Sequence, residues 1–278
     1  MKILGHIYMV NMILKTYNRP VKIVIKLKLN GYPVSVKLKN GEIHQINSIY
    51  DIVRDYLKVK YNLNLIFDDT WTDPFSVFIN NDYKWLPVKG KIVVDVGANI
   101  GDSSIYFCFN GAEKAISIEP FPHYYNILIQ NIEENNYQNK IIPINAIMGN
   151  EVRRVKMNVN KEMTTGIQAE LTNNGKEIDS INLEYIINSY NINNGALKMD
   201  CEGCEYDSIL SSNDTTLRHF EYIMPEYYYG NSVSIKKLKE SGFKVETTRP
   251  KFSYNCCANN PNMLQDIFLL GGLISNGK

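Results

Sequence analysis

The sequence predicts an α/β protein in which a mostly parallel sheet with crossover helices follows a small α+β extension. Three observations predict this. From residue 91 onward, short apolar runs alternate with helical stripes, the pattern of parallel strands joined by crossover helices. The first of these runs, Lys91 to Val96, ends in Gly97-Ala98-Asn99-Ile100-Gly101 and then in a helix. Before residue 91 the pattern is different: period-two alternation broken by two Asn-Gly turns.

At the N-terminus, MKILGHIYMVNMIL is apolar but interrupted by His6 and Asn11, and no small-residue cleavage site follows. It reads as an amphipathic helix packed on the body. Val21, Ile23, Ile25, Leu27 and Leu29 recur at every second position, with Lys22, Lys26 and Lys28 among the residues between them. With Asn30-Gly31 and Asn40-Gly41 as turns, residues 21–46 read as a β-meander whose exposed edges could pair across a homodimer. Ser48 then caps a helix striped by Ile49, Ile52, Val53 and Tyr56, with Asp51 in its first turn. A strand is expected near Phe75 to Ile79, and Pro87 to Gly90 punctuates the boundary. The extension thus covers residues 1–88 and the α/β domain residues 89–278.

In that domain Lys91 to Val96 is the first strand, and residues 102–110 form a helix. Ala115 to Glu119 is the second strand. Pro122 opens a helix with Tyr125, Leu128, Ile129 and Ile132 on its core side. Ile141 to Met148 is the third strand. Residues 150–180, polar and alternating, form a hairpin insertion. A helix follows, striped by Leu183, Ile186, Ile187 and Tyr190. Next come a strand at Ala196 to Asp200, a helix from Glu205, a strand at Tyr222 to Pro225 and a helix from Ser232. FKVET and DIFLLGG close the chain as an antiparallel pair.

Composition narrows the partners. The 278 residues carry a net charge of +1, with 44% hydrophobic and 21% charged residues. That balance gives no global field for tracking phosphates, so no nucleic acid partner is expected. No apolar stretch reaches the ~18 residues of a membrane span. Five cysteines in 278 residues are too few for a disulfide scaffold. Reduced thiols and a cytoplasmic location are the default reading. Cys201 and Cys204 read as small buried apolar residues, and Cys256-Cys257 is badly spaced for tetrahedral zinc.

The glycine loop sets the ligand chemistry. A dinucleotide fingerprint would need glycine at 97, 99 and 102, where this chain has Gly97, Asn99 and Asp102. Asp102 would repel a pyrophosphate, and no GKS or GKT makes a P-loop. Gly97 and Gly101 let a ligand approach backbone closely, and the helix start beyond them would favour an anionic group. Glu119 ends the second strand, the usual place for an acid that grips two ribose hydroxyls. Asp95, at the first strand's tip, wants a cationic or hydrogen-bond-donating ligand. A ligand with a ribose, a carboxylate and a cationic centre, and no phosphate, is S-adenosylmethionine.

Asp95-x-Gly97-Ala98-Asn99-x-Gly101, then Ile118-Glu119-Pro120-x-Pro122, resembles the FkbM family of S-adenosylmethionine-dependent methyltransferases. Leu197-Lys198-Met199-Asp200-Cys201-Glu202-Gly203-Cys204-Glu205 resembles the family's K-x-D-x-E-G-x-E, and Pro225-Glu226-Tyr227-Tyr228 its Glu-Tyr-His block, with Tyr228 in place of the histidine. The resemblance covers roughly residues 90–270. It implies a class I, Rossmann-like methyltransferase fold with seven strands, the last antiparallel, and helices on both faces. It also implies transfer of a methyl to a hydroxyl, often on a sugar or polyketide. In this reading Asp95, Gly97, Asn99, Gly101 and Glu119 bind the cofactor, joined by Asn145 and Ala146 on the third strand. Asp200, Glu202 and Glu226 face the methyl or the acceptor, a glycan or small metabolite. A hydroxyl needs a base, and crowded carboxylates make better ones. Such a cluster could also hold a divalent cation, which the reading does not require. Glu205 fits a helix cap, and His123 a surface residue. The rivals are a nucleic acid base methyltransferase, disfavoured by Asp200-Cys201-Glu202-Gly203 where D-P-P-Y would stand, and a cofactor-binding partner protein without catalysis.

Overall fold

The computed structural model describes residues 2–68, 73–158, 175–227, 232–247 and 267–273. Its centre is a seven-stranded sheet: β3 (Ile92–Val96), β4 (Lys114–Ile118), β5 (Ile141–Ile144), β9 (Gly195–Met199), β10 (Phe220–Tyr227), β11 (Phe243–Thr247) and β12 (Ile267–Leu273). The strand order is β11-β12-β10-β9-β3-β4-β5. β10, β9, β3, β4 and β5 pair in parallel, and β12 runs antiparallel to both β10 and β11. Strand order reverses between β3, which leads to β4, and β9 on its other side. That is where an open α/β sheet places its ligand crevice.

Period-two alternation divides the strand side chains between two apolar layers. Val93, Ala115, Ile141, Ala196 and Met224 face one layer; Val94, Val96, Ile116, Ile118, Leu197 and Met199 face the other. The second layer is covered by α7 (Leu183–Tyr190), α8 (Cys204–Ser211), α9 (Asp214–Leu217) and α10 (Ser232–Glu240), through Ile186, Ile209, Leu217 and Leu238. The first is covered by α5 (Asp102–Phe109), α6 (Pro122–Glu134) and the N-terminal extension, whose Ile13, Tyr17, Leu38, Ile46, Ile52 and Phe78 share that core.

The extension begins with α1 (Lys2–Thr16) and α2 (Pro20–Asn30). Residues 21–29 are therefore helix, not the first strand of a meander. Pro20 sits at the helix start, where its fixed φ is helical and its missing N–H costs nothing. Gly31, at φ +68, ends the helix with its N–H on the Leu27 carbonyl. Asn30-Gly31 is a helix stop rather than a hairpin turn, and the strand edge expected there for dimer pairing does not exist. Asn40-Gly41 does close a hairpin, between β1 (Val34–Lys37) and β2 (Ile43–Ile46). α3 (Ile49–Tyr61) buries Ile52, Val53, Tyr56 and Leu57, and Asp51 accepts from the Ser48 N–H at its start.

Two further expectations are corrected. Phe75 to Ile79 is helical, not a strand: α4 (Asp73–Phe75) runs into a π-turn over Ser76–Asn80 and a 3₁₀ turn over Asp82–Trp85. A short apolar run does not by itself distinguish strand from helix. Residues 141–148 are two strands. Chain direction changes at Asn145, and β6 (Ala146–Met148) leaves the main sheet to pair with β8 (Lys176–Ile181), itself antiparallel to β7 (Arg153–Met157).

Candidate active site

Four strand ends converge where strand order reverses. β3 delivers Asp95 and the loop 97–101, β4 delivers Glu119, β9 delivers Lys198 and Asp200, and β10 carries Glu226. Asp95 is fully buried. Its carboxylate accepts from Ser103 Oγ at 2.6 Å and Ser104 Oγ at 2.5 Å, and pairs with Lys198 Nζ at 3.0 Å. Lys198 is equally buried and donates onward to the carbonyls of Gly97 (2.8 Å) and Val96 (3.3 Å). Burial alone would depress the ammonium, but Asp95, Asp200 and Asp102 surround it and hold its pKa above the ordinary lysine value. Asp95 and Lys198 thus form a brace beneath the loop.

The loop's amides are already engaged. Gly97 and Ala98 donate to the Ile118 carbonyl at 3.0 Å each, Asn99 to Glu119 Oε2 at 2.9 Å, and Gly101 to the Ala98 carbonyl at 2.7 Å. At the start of α5 the Asp102 carboxyl is buried, and burial raises its pKa to about 7 against the opposing pull of the nearby backbone amides and of Lys198. Gly97 is required sterically: a Cβ on it would lie 1.9 Å from the Asp200 carbonyl oxygen. Asn99, at φ 47, turns its side chain to donate to Asp73 Oδ2 at 2.8 Å.

Glu119 is 4% exposed, and Phe121 N also donates to it, at 2.8 Å. Burial raises its pKa to about 7 against the opposing pull of those amides. Asn145 is part-buried and donates to the carbonyls of Glu119 (2.9 Å) and Pro120 (3.0 Å), so it fixes the turn after β4; Ala146 is buried beside it.

On the opposite wall, the Tyr83 hydroxyl donates to Asp200 Oδ2 at 2.6 Å, and Lys198 Nζ lies 5.3 Å from the centre of the Tyr83 ring. Burial, with Asp200 beside it, pushes the phenol well above its usual pKa, so it stays a donor. Glu226 is buried, while Glu202 is half-buried in the left-handed region at φ 59. Glu205 is buried and accepts from the amides of Cys201 (2.6 Å) and Gly203 (2.8 Å), closing the turn into α8. His123 is exposed.

Cys201 and Cys204 form a disulfide across that turn, with Cα atoms 5.6 Å apart. This corrects the expectation of two reduced apolar residues: three-residue spacing at a loop-to-helix turn brings the thiols within bonding reach. Cys108 is free and buried, and its thiol is pushed up to about 12 by that burial. Tyr228, Cys256 and Cys257 lie outside the described residues. Among the described residues, no group of three or more His, Cys, Asp or Glu is arranged to hold a metal ion, and no helix is long and apolar enough to cross a membrane.

The Methyltransferase FkbM domain matches residues 95–248, just over half of the chain. The chain belongs to the FkbM methyltransferase family. The matched FkbM domain begins at Asp95 and spans Glu119, Lys198, Asp200 and Glu226, but not Asp73 or Tyr83, which the extension supplies. Several solved structures are similar to part of the chain. The FkbM methyltransferase from Methylobacillus flagellatus is 16% identical, with a TM-score of 0.47, over 70% of this chain and 47% of that one. The precorrin-6y C5,15-methyltransferase from Geobacter metallireducens is 11% identical, with a TM-score of 0.41, over 77% and 96%. TrmK from M. capricolum, solved with S-adenosyl-homocysteine, is 11% identical, with a TM-score of 0.41, over 70% and 67%. No curated protein matches the FkbM chain.

Sequence reasoning missed four participants in this FkbM site. Lys198 lay inside the motif quoted for the family and could have been flagged, since a lysine between apolar strand residues has to be paired to be buried. Asp73 and Tyr83 carried no local signal. Nor did Asn131, which is fully buried on α6 and donates to the carbonyls of Ile100 (2.8 Å) and Ile66 (3.1 Å), tying the loop to the extension.

Proposed function

We propose that this domain binds S-adenosylmethionine across the tips of β3 and β4 and methylates a hydroxyl on a glycan or small metabolite. The observation that carries the reading is Glu119: a buried carboxylate at the tip of β4, hydrogen-bonded to the Asn99 amide of the neighbouring loop. The donor set suits that cofactor. Asn99 Oδ1 and Asp102 Oδ2 are buried with no hydrogen-bond partner among the described residues. With Glu119 they make an acceptor-rich surface that favours hydroxyl and ammonium groups and opposes phosphate.

When bound, S-adenosylmethionine supplies a methyl group on a positively charged sulfur. The chain's own contribution is placement and proton handling. Asp95, Lys198, Gly97 and Gly101 shape the loop, Asn145 and Ala146 hold the floor beside it, and Asn99 and Glu119 grip the nucleoside. Asp200 is half-buried and oriented by the Tyr83 hydroxyl, and it accepts the proton of the acceptor hydroxyl. Glu202 and Glu226 border the acceptor space. Phosphate-tracking nucleic acid is not the substrate class this acidic site favours.

Titration calorimetry with S-adenosylhomocysteine tests the cofactor. Binding that weakens at least about tenfold in Glu119→Ala is expected, for loss of charge-assisted hydrogen bonds to two hydroxyls. Absence of heat with the wild type, or undiminished affinity in the variant, overturns the proposal. Transfer of radiolabelled methyl to fractionated glycans and metabolites tests the acceptor.

A further inference from the structure

The chain's near-neutral total conceals a segregated distribution. Residues 1–41 contain seven Lys and one Arg and not one Asp or Glu; all 29 acidic residues lie from Glu42 onward. Within this basic segment α2 has two apolar sides. Ile23 is buried, and Val24 and Leu27 are packed partly against the core. These fix the helix to the body. Val21, Ile25 and Leu29 follow each other at i, i+4 and i+8 on the other side, with 65%, 51% and 76% of their surface exposed. No described residue covers them. Helical geometry puts Lys22 and Lys26 along one border of this stripe and Lys28 along the other. All three lysines are exposed, and none is ion-paired among the described residues.

We infer that this face of α2 docks on an anionic lipid surface, with Val21, Ile25 and Leu29 entering the headgroup boundary and Lys22, Lys26 and Lys28 meeting the lipid charges. An exposed apolar stripe edged on both sides by cations is the pattern that binds in the plane of a bilayer interface. Nucleic acid would use the lysines but leaves three large aliphatic side chains in water unexplained. A second copy meeting this helix face to face would set lysine against lysine across the symmetry axis. An acidic bilayer satisfies both the charge and the apolar stripe. The inference is independent of the reaction proposed above.

Flotation with vesicles tests it, comparing phosphatidylcholine alone with phosphatidylcholine containing phosphatidylglycerol. The full chain is expected to float with the anionic vesicles, to be released by high salt, and to stay in solution with the neutral ones. The Val21→Ser, Ile25→Ser, Leu29→Ser triple variant and the Lys22→Gln, Lys26→Gln, Lys28→Gln triple variant should each lose about tenfold or more of that binding. Because all six side chains are exposed, thermal unfolding of both variants should match the wild type, which separates lost docking from lost folding. Equal binding to neutral vesicles, or unchanged binding in the serine variant, overturns the proposal. So does binding to duplex nucleic acid that the glutamine variant loses and the serine variant keeps. So does a dimer in sedimentation that the serine variant dissociates.

Discussion

The Tyr83 hydroxyl donates to Asp200 Oδ2 at 2.6 Å across 117 positions of sequence, joining the N-terminal extension to the tip of β9. The extension therefore contributes polar groups to the site as well as apolar cover to the sheet. Asp73, which accepts from Asn99, repeats the arrangement at the glycine loop.

Tyr83→Phe keeps the ring and removes the donor. Asp200 loses a buried partner, and the protein should lose about 1–2 kcal/mol of stability in urea denaturation. S-adenosylhomocysteine affinity should be unchanged, because the proposed function puts this hydroxyl on the acceptor side. Methyl transfer should fall by about tenfold or more, because the proposed base, Asp200, is no longer oriented.

Lys198→Met should be among the most damaging single changes. It leaves the fully buried Asp95 carboxylate without its cation, at a cost of about 3–5 kcal/mol. Adding Asp95→Asn removes the stranded charge, so the double variant should be more stable than Lys198→Met alone. Urea denaturation of the wild type, the two single variants and the double variant measures this coupling.

Gly97→Ala should cost more than about 2 kcal/mol. The residue sits at φ +73, and the added carbon meets the Asp200 carbonyl oxygen, a backbone atom that β9 holds in place. Thermal unfolding and S-adenosylhomocysteine titration should both register the loss.

Glu119 gives the protein without ligand a pH dependence of defined sign. Its carboxyl is raised from 4.5 to about 7 by burial. Between those values the folded protein holds a proton that the unfolded chain has released. The associated stability is fully present below about pH 4.5 and is lost as pH rises through about 7, by roughly 3 kcal/mol. Denaturation across this range should show a slope in the wild type that Glu119→Gln reduces, the remainder coming from Asp102, which burial also raises to about 7. Ligand hydroxyls donate to the ionised form, so S-adenosylhomocysteine should bind more tightly as pH passes upward through about 7, with proton release, and the glutamine variant should not show this.

What could be read from the sequence was what is local. The loop from Gly97 to Gly101, the strands on either side of it and the acid at Glu119 are encoded within some thirty residues, and the strand-tip positions follow from the order of elements. Residues 21–29 show how a pattern can mislead. In a strand, Val21, Ile23, Ile25, Leu27 and Leu29 share one face; in the observed helix the same five divide between an inner and an outer side. Pro20 and Gly31 were the discriminating signals, as a helix start and a helix stop. Asp73, Tyr83 and Asn131 were not legible because their partners lie 26, 117 and 31 or 65 positions away. The packing of the extension creates the contacts of Asp73, Tyr83 and Ile66, and the return of α6 against the loop creates the one between Asn131 and Ile100.

Ile13, Tyr17, Leu38, Ile52 and Phe78 reach the same apolar layer as Val93, Ala115 and Ala196. A polypeptide starting at residue 89 would expose to water the part of that layer, on α5 and α6, that the extension covers. The family module in this chain is therefore expected to be a poor cassette for excision or grafting at that boundary, since the cut would run through a shared apolar core.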